Sequence, residues 1–377
     1  MKLLIVSFSF DDHVASATEQ LAIHDSTDEL LCAMQEKGLV IECYKRFHTN
    51  ELIEKKGICY YFCADGFKGQ IPFWYPALNF IRIILSRNAN VIHIHGIHFP
   101  FQTFLLKQLS NKKTKVIVQH HGGNPEFGIK GWLKRKLLSI ADAFFFTTSE
   151  QGMSWFFQKI SSQKIFPVME GASNMKRGDK QHANDVLGLQ GDHRFVWIGR
   201  LYQNKDPLTV LAGFEMFCKE HPSSKLYMIY QTTDLLNEVK DAINKSTLLQ
   251  QSLELVGRCT STQIEQYLNA ADYFVLGSHY EGSGYALSEA IACGCIPIVT
   301  DIPSFRMMTN QGKMGGLWEK GNPRSFYEAL MNVIQKDKLE LSDQCVAFHQ
   351  STLSVEAIAR ISIDYYRQLS SITDEAV

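Results

Sequence analysis

Twice along this chain, short unbroken apolar runs alternate with stretches of helical period, and no other feature restricts the fold as much. In the first half the runs fall at 3–8, 40–44, 58–62, 91–95, 116–119, 143–147 and 164–167. In the second they fall at 195–198, 225–229, 253–256, 273–276 and 296–299. A strand that is apolar at successive positions, without in–out alternation, is covered on both faces, and parallel strands need a crossover between them that is usually a helix. Helical period does lie between many of the runs, for example at 206–220, 261–269 and 285–292. The pattern predicts an α/β chain of two Rossmann-like, doubly wound domains in tandem. Residues 171–190 (GASNMKRGDKQHANDVLGLQ) are polar and without clear period, and read as the linker. The expected division is 1–172, 173–352, and a terminal segment 353–377 that contains a helix at 355–366.

Bulk properties exclude several classes. A formal net charge of −1 does not suit a nucleic-acid binder, and none is expected as a partner. The nine cysteines are odd in number and lack metal-ligand spacing, so reduced thiols in a cytoplasmic setting are expected rather than disulfides or zinc. The opening MKLLIVSFSFDD is too short in its apolar part for a signal peptide and reads as a first strand. No stretch approaches the roughly 18 uncharged apolar residues of a spanning helix.

The chemistry-bearing residues cluster in the second half. Residues 281–290 read EGSGYALSEA, with seven residues between Glu281 and Glu289. The apolar run 273–276 precedes this segment, and helical spacing begins near Tyr285, so it forms the bend that opens a βαβ unit. Gly282 and Gly284 allow close backbone approach, and the amides of Gly282, Ser283, Gly284 and Tyr285 at a helix start favour an anion. Two carboxylates would repel a bare diphosphate, yet they can accept hydrogen bonds from hydroxyls on either side of one. A nucleotide sugar has that layout, provided cations stand nearby. FVWIGRLYQNK (195–205) supplies Arg200 and Lys205 just past a strand end, with Pro207 suited to a first helical turn. Arg200 and Lys205 as solvated surface charges is the bland alternative; the neighbouring Glu pair favours the clamp.

These segments, GRLYQNKDP, EGSGYALSEAIACGCIPIVTD and GGLWEKGN, resemble the retaining glycosyltransferases of family 4, group 1, which have the GT-B fold. The likeness covers most of 195–335, and more loosely VIHIHG (91–96) and VIVQHHGG (116–123). It implies two domains facing a cleft, with the last helix crossing back to the first domain. It also implies that Arg200 and Lys205 bind the donor diphosphate, that Glu281 and the 282–285 amides lie at the donor sugar, and that Glu289 holds the ribose. His121, or second His120, would face the cleft beside Gly122 and His95, where donor sugar or acceptor is met. Glu281, His121, Arg200 and Lys205 are thereby the expected catalytic set. One departure is that SFSFDDHVAS stands where the family carries a Gly-Gly loop, so no contact is assigned there.

The implied reaction is transfer of a hexose-type sugar from a nucleotide diphosphate to a glycan or lipid-linked acceptor, with retention, in cell-surface polysaccharide assembly. Because the chain contains no Asp-x-Asp pair, metal independence is expected, and no cofactor. A glycosidase reading of the Glu pair is disfavoured by the Arg/Lys segment, which hydrolysis of a neutral sugar does not need. A nucleotide-sugar 2-epimerase and a non-catalytic nucleotide-sugar binder are the competing readings.

Three weaker signals remain. HIHGIH places His93, His95 and His98 in alternation, and reads as a strand end rather than a metal cluster. Residues 69–85 are aromatic and read as core. Residues 129–146 open with Lys130, Trp132, Lys134, Arg135 and Lys136, a pattern suiting either a solvated helix face or peripheral contact with the inner face of the cytoplasmic membrane.

Overall fold

A computed structural model describes residues 1–371 apart from 24, 68 and 171–172. The chain forms two compact units, Met1–Glu170 with Val355–Val377, and Gly171–Ser354. The boundary expected at 172, and residues 372–377 of the terminal segment, lie outside the described residues.

The first unit contains β1 (Lys2–Ser7), β2 (Val40–Arg46), β3 (Glu51–Lys55), β4 (Ile58–Cys63), β5 (Val91–His95), β6 (Lys115–Gln119), β7 (Ala143–Phe146) and β8 (Ile165–Pro167). Their order across the sheet is β3-β4-β2-β1-β5-β6-β7-β8. All neighbours pair in parallel except β3, which runs antiparallel to β4 with Glu51 opposite Phe62. The sequence reading omits β3, because this edge strand is mostly exposed and has no apolar run. Its signal is the turn, where Lys56 and Gly57 both have positive φ (52° and 76°), as a two-residue hairpin requires.

Strand β7 shows why the apolar runs do not alternate. Phe144, Phe145 and Phe146 are all buried, yet successive side chains leave opposite faces of the sheet. Phe144 and Phe146 meet Phe156 on one face. On the other, Phe145 stacks on Tyr366 of the terminal helix Val355–Ser371, with ring centres 5.6 Å apart. The Tyr366 hydroxyl reaches His93 Nδ1 of β5 at 2.7 Å. The last helix therefore belongs to the first unit by packing, although it follows the second in sequence.

One buried ion pair shapes the loops beyond β1, β2 and β4. The guanidinium of Arg46, at the end of β2, is wholly buried and grips Asp65 through Nε (2.7 Å) and Nη2 (3.3 Å). Its remaining bonds are donated to the carbonyls of Phe8 (3.1 Å), Phe67 (2.8 Å) and Gly69 (3.3 Å).

The second unit contains β9 (Arg194–Gly199), β10 (Lys225–Tyr230), β11 (Leu253–Gly257), β12 (Tyr273–Leu276), β13 (Ile296–Thr300) and β14 (Gly316–Trp318), all parallel, in the order β11-β10-β9-β12-β13-β14. Strand β14 is three residues long and opens on glycine, too little for a sequence pattern. The polar stretch read as linker holds a helix, Lys180–Leu187. Asp179 caps it by accepting from His182 N at 2.9 Å, and Gly188 stops it with φ 66°. Only Ala183 of this helix is buried, so its apolar period is weak although its start and stop residues are present.

Both sheets reverse their winding beside a central strand. In the first the reversal lies between β1 and β5, in the second between β9 and β12. The carboxyl ends of strands at such a reversal are where open α/β sheets bind ligands.

Candidate functional site

In the second unit, the segments that follow β9 and β12 are locked together. After β9 come Arg200, which is exposed, and a short turn Gln203–Lys205. Asp206, at φ 43°, then caps the helix Pro207–Cys218 through Thr209 N. After β12 comes Gly277, where a Cβ would stand 3.0 Å from the Asp206 carbonyl oxygen and 3.1 Å from that of Lys205, so only glycine lets the two backbones meet. Asn204 bridges the segments. Its carbonyl accepts from His279 N (2.8 Å), its side-chain oxygen accepts from Tyr280 N (3.1 Å), and its side-chain amide donates to Tyr280 O (2.9 Å). His279 Nε2 lies 2.8 Å from Asp206 Oδ2.

This scaffold brings Lys205 and Glu281 into direct ion pairing. Lys205 is therefore not the free cation that the sequence alone suggests, since it already holds a carboxylate. Among the described residues Arg200 has no carboxylate partner, and its exposed guanidinium is the available charge on the same loop. Ser283 is buried, and Gly284, with φ 57°, caps the helix Tyr285–Ala292, whose first residue Tyr285 is half exposed. A Cβ at Gly284 would come within 3.0 Å of the Phe305 ring. Glu289 lies further along this helix, where burial pushes its carboxyl up to about 7. Sequence reasoning missed Asn204, Asp206 and His279. Asp206 before Pro207 is a helix-cap signal, whereas the bridging by Asn204 leaves no local pattern.

In the first unit, β5 ends at His95 and β6 at Gln119, and the two adjacent histidines that follow take different roles. His120 is buried, its ring stacked on Phe146 at 4.7 Å. Gly122 N donates to its Nδ1 (3.3 Å), which leaves Nε2–H to donate to the Gly123 carbonyl (3.1 Å). Burial lowers its pKa, so it is a neutral brace for the loop, whose Gly122 and Gly123 have φ of 111° and 90°. His121 is 40% exposed, with Nδ1 3.0 Å from a carboxylate oxygen of Glu170 and its ring 4.9 Å from that of His95. His93 is fully enclosed, and burial lowers it to about 3. Among the described residues no three His, Cys, Asp or Glu side chains are arranged to hold a metal ion.

Phe127 and, from the helix Gly128–Leu138 that follows it, Ile129, Trp132 and Leu133 are exposed to solvent. Its cations are less free than the sequence implies. Lys134 pairs with Glu126, Arg135 lies over the Phe157 ring and donates to the Glu126 carbonyl, and Lys136 lies over Trp132. No described helix is long and apolar enough to cross a membrane.

These two parallel-sheet units, with the second unit's locked loop pair at its winding reversal, define a chain of the GT-B class. Nearly the whole of it superposes on solved structures of that class. A glycosyltransferase from Rickettsia africae matches with a TM-score of 0.74 and 13% identity, covering 98% of each chain. Anabaena HepE in complex with UDP matches with a TM-score of 0.72 and 12% identity, covering 98% of this chain and all of that one. Residues 179–349 match the profile of the family described as glycosyl transferases group 1. Among curated relatives, the GDP-mannose:cellobiosyl-diphosphopolyprenol alpha-mannosyltransferase of Xanthomonas oryzae pv. oryzae is 26% identical over 237 residues, which are 61% of this chain and 60% of that protein. The mannosylfructose-phosphate synthase of Agrobacterium fabrum is 31% identical over 144 residues, 36% of this chain and 30% of that protein. The matched segment thus spans about 60% of the length of the mannosyltransferase relatives.

Proposed function

We propose that this protein transfers a hexose-type sugar, with retention and without a metal ion, from a nucleotide-diphosphate sugar to a lipid-linked or glycan acceptor of a cell-surface polysaccharide. The observation that carries this reading is the Lys205–Glu281 pair, held on interlocked loops beyond β9 and β12, with the exposed Arg200 on the same loop as Lys205. Breaking a glycosyl–phosphate bond leaves extra negative charge on the departing diphosphate. An ammonium, a guanidinium and the amides at a helix start, fixed before reaction, stabilise that charge without reorganising. Glu281 both orients Lys205 and lies at the position for the donor sugar, while Glu289 takes the ribose hydroxyls. His121, turned outward and backed by Glu170, meets sugar or acceptor. The mannosyltransferase relatives, whose names give a nucleotide sugar and a polyprenol-linked acceptor, support the same substrate classes here. Incubation with candidate nucleotide sugars and a polyprenol-diphosphate glycan should release one nucleoside diphosphate per sugar transferred. A 2-epimerase would instead interconvert the donor without acceptor, and a mere binder would release nothing.

Glu289 gives this reading a pH signature. An ordinary carboxyl in the unfolded chain and one near 7 in the folded chain mean that the folded state holds the extra proton between those values. Stability therefore falls as pH rises through that window, and the ionised, half-buried carboxylate weakens the fold above it. Glu289→Gln should raise stability at pH 8 by on the order of 2 kcal/mol, with little change at pH 5, and should weaken donor binding at pH 8. Thermal unfolding and nucleotide titration at the two pH values check this; a stability gain larger at pH 5 than at pH 8 would contradict it.

We further propose that the exposed apolar edge formed by Phe127, Ile129 and Trp132 seats this unit on the membrane that carries the acceptor. Ile129→Ser with Trp132→Ser should lower partition onto phosphatidylglycerol vesicles by about tenfold or more, since each side chain removed from water contributes roughly 1.5–3 kcal/mol. Binding unchanged in a sedimentation assay would rule this surface out.

A further inference from the structure

At the amino edge of the second sheet lies a cavity of about 370 Å³ lined by four cationic side chains, Arg177, Lys180, Arg194 and Lys338, with Asp272 in its wall. It opens at the starts of β9, β12 and β13, whereas the Lys205–Glu281 pair lies past the ends of β9 and β12. The six residues of β9 separate the two regions by about 17 Å at ~3.3 Å per residue.

Among the residues that line this cavity, cations outnumber carboxylates. Asp272 is buried and accepts from Arg194 N (2.9 Å), Lys180 Nζ (2.7 Å) and Lys338 Nζ (3.1 Å). Burial alone would raise its pKa, but the Lys180 ammonium reverses the shift and keeps it ionised. That one carboxylate faces the positive charges of Lys180, Lys338 and Arg194. Arg177 is matched by Asp343. Asp179 and Asp337 stand close in sequence but are engaged as caps, on His182 N (2.9 Å) and on Leu339 N and Glu340 N (2.8 and 2.9 Å). Arg194 Nε is buried with no hydrogen-bond acceptor among the described residues, and the Asp272 oxygen stands 3.6 Å from it. A buried guanidinium N–H left unmatched is costly, and native structures generally place a group or ordered water against it. Lys180 and Lys338 are also the first residues of the helices Lys180–Leu187 and Lys338–Phe348, whose positive ends are met by the capping carboxylates of Asp179 and Asp337. The nearby Gly294 carbonyl is already taken by Ser342 Oγ at 2.6 Å.

We propose that this cavity binds a small phosphate-bearing anion, at a site separate from the Lys205–Glu281 loops. The Arg194 guanidinium edge offers the fork geometry a phosphate accepts, and the two ammonium groups supply mobile donors around it.

Calorimetric titration of the full chain with inorganic pyrophosphate, at ionic strength matched with potassium chloride, tests the assignment. Wild-type protein should bind two equivalents. Lys205→Ala should bind one, at the cavity. Arg177→Gln with Lys338→Gln should lose the cavity equivalent or weaken it at least tenfold; Lys180 is retained in this variant so that Asp272 stays paired and the unit folds, which its unfolding temperature verifies. Binding unaffected by the Arg177/Lys338 changes, or absent altogether in Lys205→Ala, overturns the proposal. Should Lys205→Ala leave the stoichiometry at two while the Arg177/Lys338 variant lowers it, the cavity site stands and the proposed role of Lys205 fails instead.

Discussion

Lys205→Ala should lower kcat/KM for sugar transfer on the order of 10²- to 10³-fold, roughly 2.7–4 kcal/mol, the cost of removing one preorganised partner of developing charge. The expectation rests on where the ammonium is held. Lys205 sits between Asn204, whose side chain is bonded to both the N–H and the carbonyl of Tyr280 across the junction, and Asp206, which caps a helix and touches His279. The loop therefore keeps its course when the Lys205 side chain is removed, and a loss of activity with an unchanged unfolding temperature reports on chemistry. Because the interaction with the departing diphosphate strengthens as its charge grows, the loss should appear in kcat more than in KM. Glu281→Gln acts on the same pair from the other side, so the double variant should cost less than the sum of the two single ones. A Lys205→Ala enzyme within threefold of wild type would end the claim that this ammonium serves the leaving group.

The second large effect concerns stability. Asp65→Ala should destabilise the first unit by about 3–5 kcal/mol, because it leaves the Arg46 guanidinium buried without its counter-charge. Arg46 is wholly enclosed and joins Asp65 to the Phe8, Phe67 and Gly69 carbonyls. Those bonds cannot replace a carboxylate, since carbonyls offer only partial charge. The double change Arg46→Met with Asp65→Leu should recover much of the loss by replacing the pair with apolar volume. The loop after β1 would still lose its anchor at Phe8, so the double variant should be stable yet impaired wherever that loop contributes to activity. Urea unfolding of the wild type and the two variants checks the order, and a cost below about 1 kcal/mol for Asp65→Ala would contradict the account.

This anchor bears on a place where the sequence departs from the pattern of the family it resembles. SFSFDDHVAS lacks the glycine pair that would let the chain turn closely after β1. In the structure Arg46 fixes the position of Phe8 from the neighbouring strand instead. A tight glycine turn is visible in sequence because one residue type meets the backbone demand. A loop held by an arginine 38 positions away is not, because nothing local distinguishes that arginine from a surface one.

What the sequence determined by itself was whatever follows from local periodicity and residue chemistry. Unbroken apolar runs such as 143–147 require cover on both faces, and β7 has it, with Phe145 and its neighbours leaving opposite faces. The glycine-rich bend before Tyr285 and the cations after β9 were legible because a helix start and a strand end each carry their own residue types. Strand order, and hence the position of the β9–β12 reversal, was decided only in the tertiary structure, since parallel strands of similar composition can exchange neighbours without changing their local pattern. The same holds for the pairing of Lys205 with Glu281 across 76 positions and for the gathering of Arg177, Lys180, Arg194 and Lys338 around one cavity. Each depends on which strand ends and helix starts the fold brings side by side, and a contact between distant segments is set by the packing of everything between them.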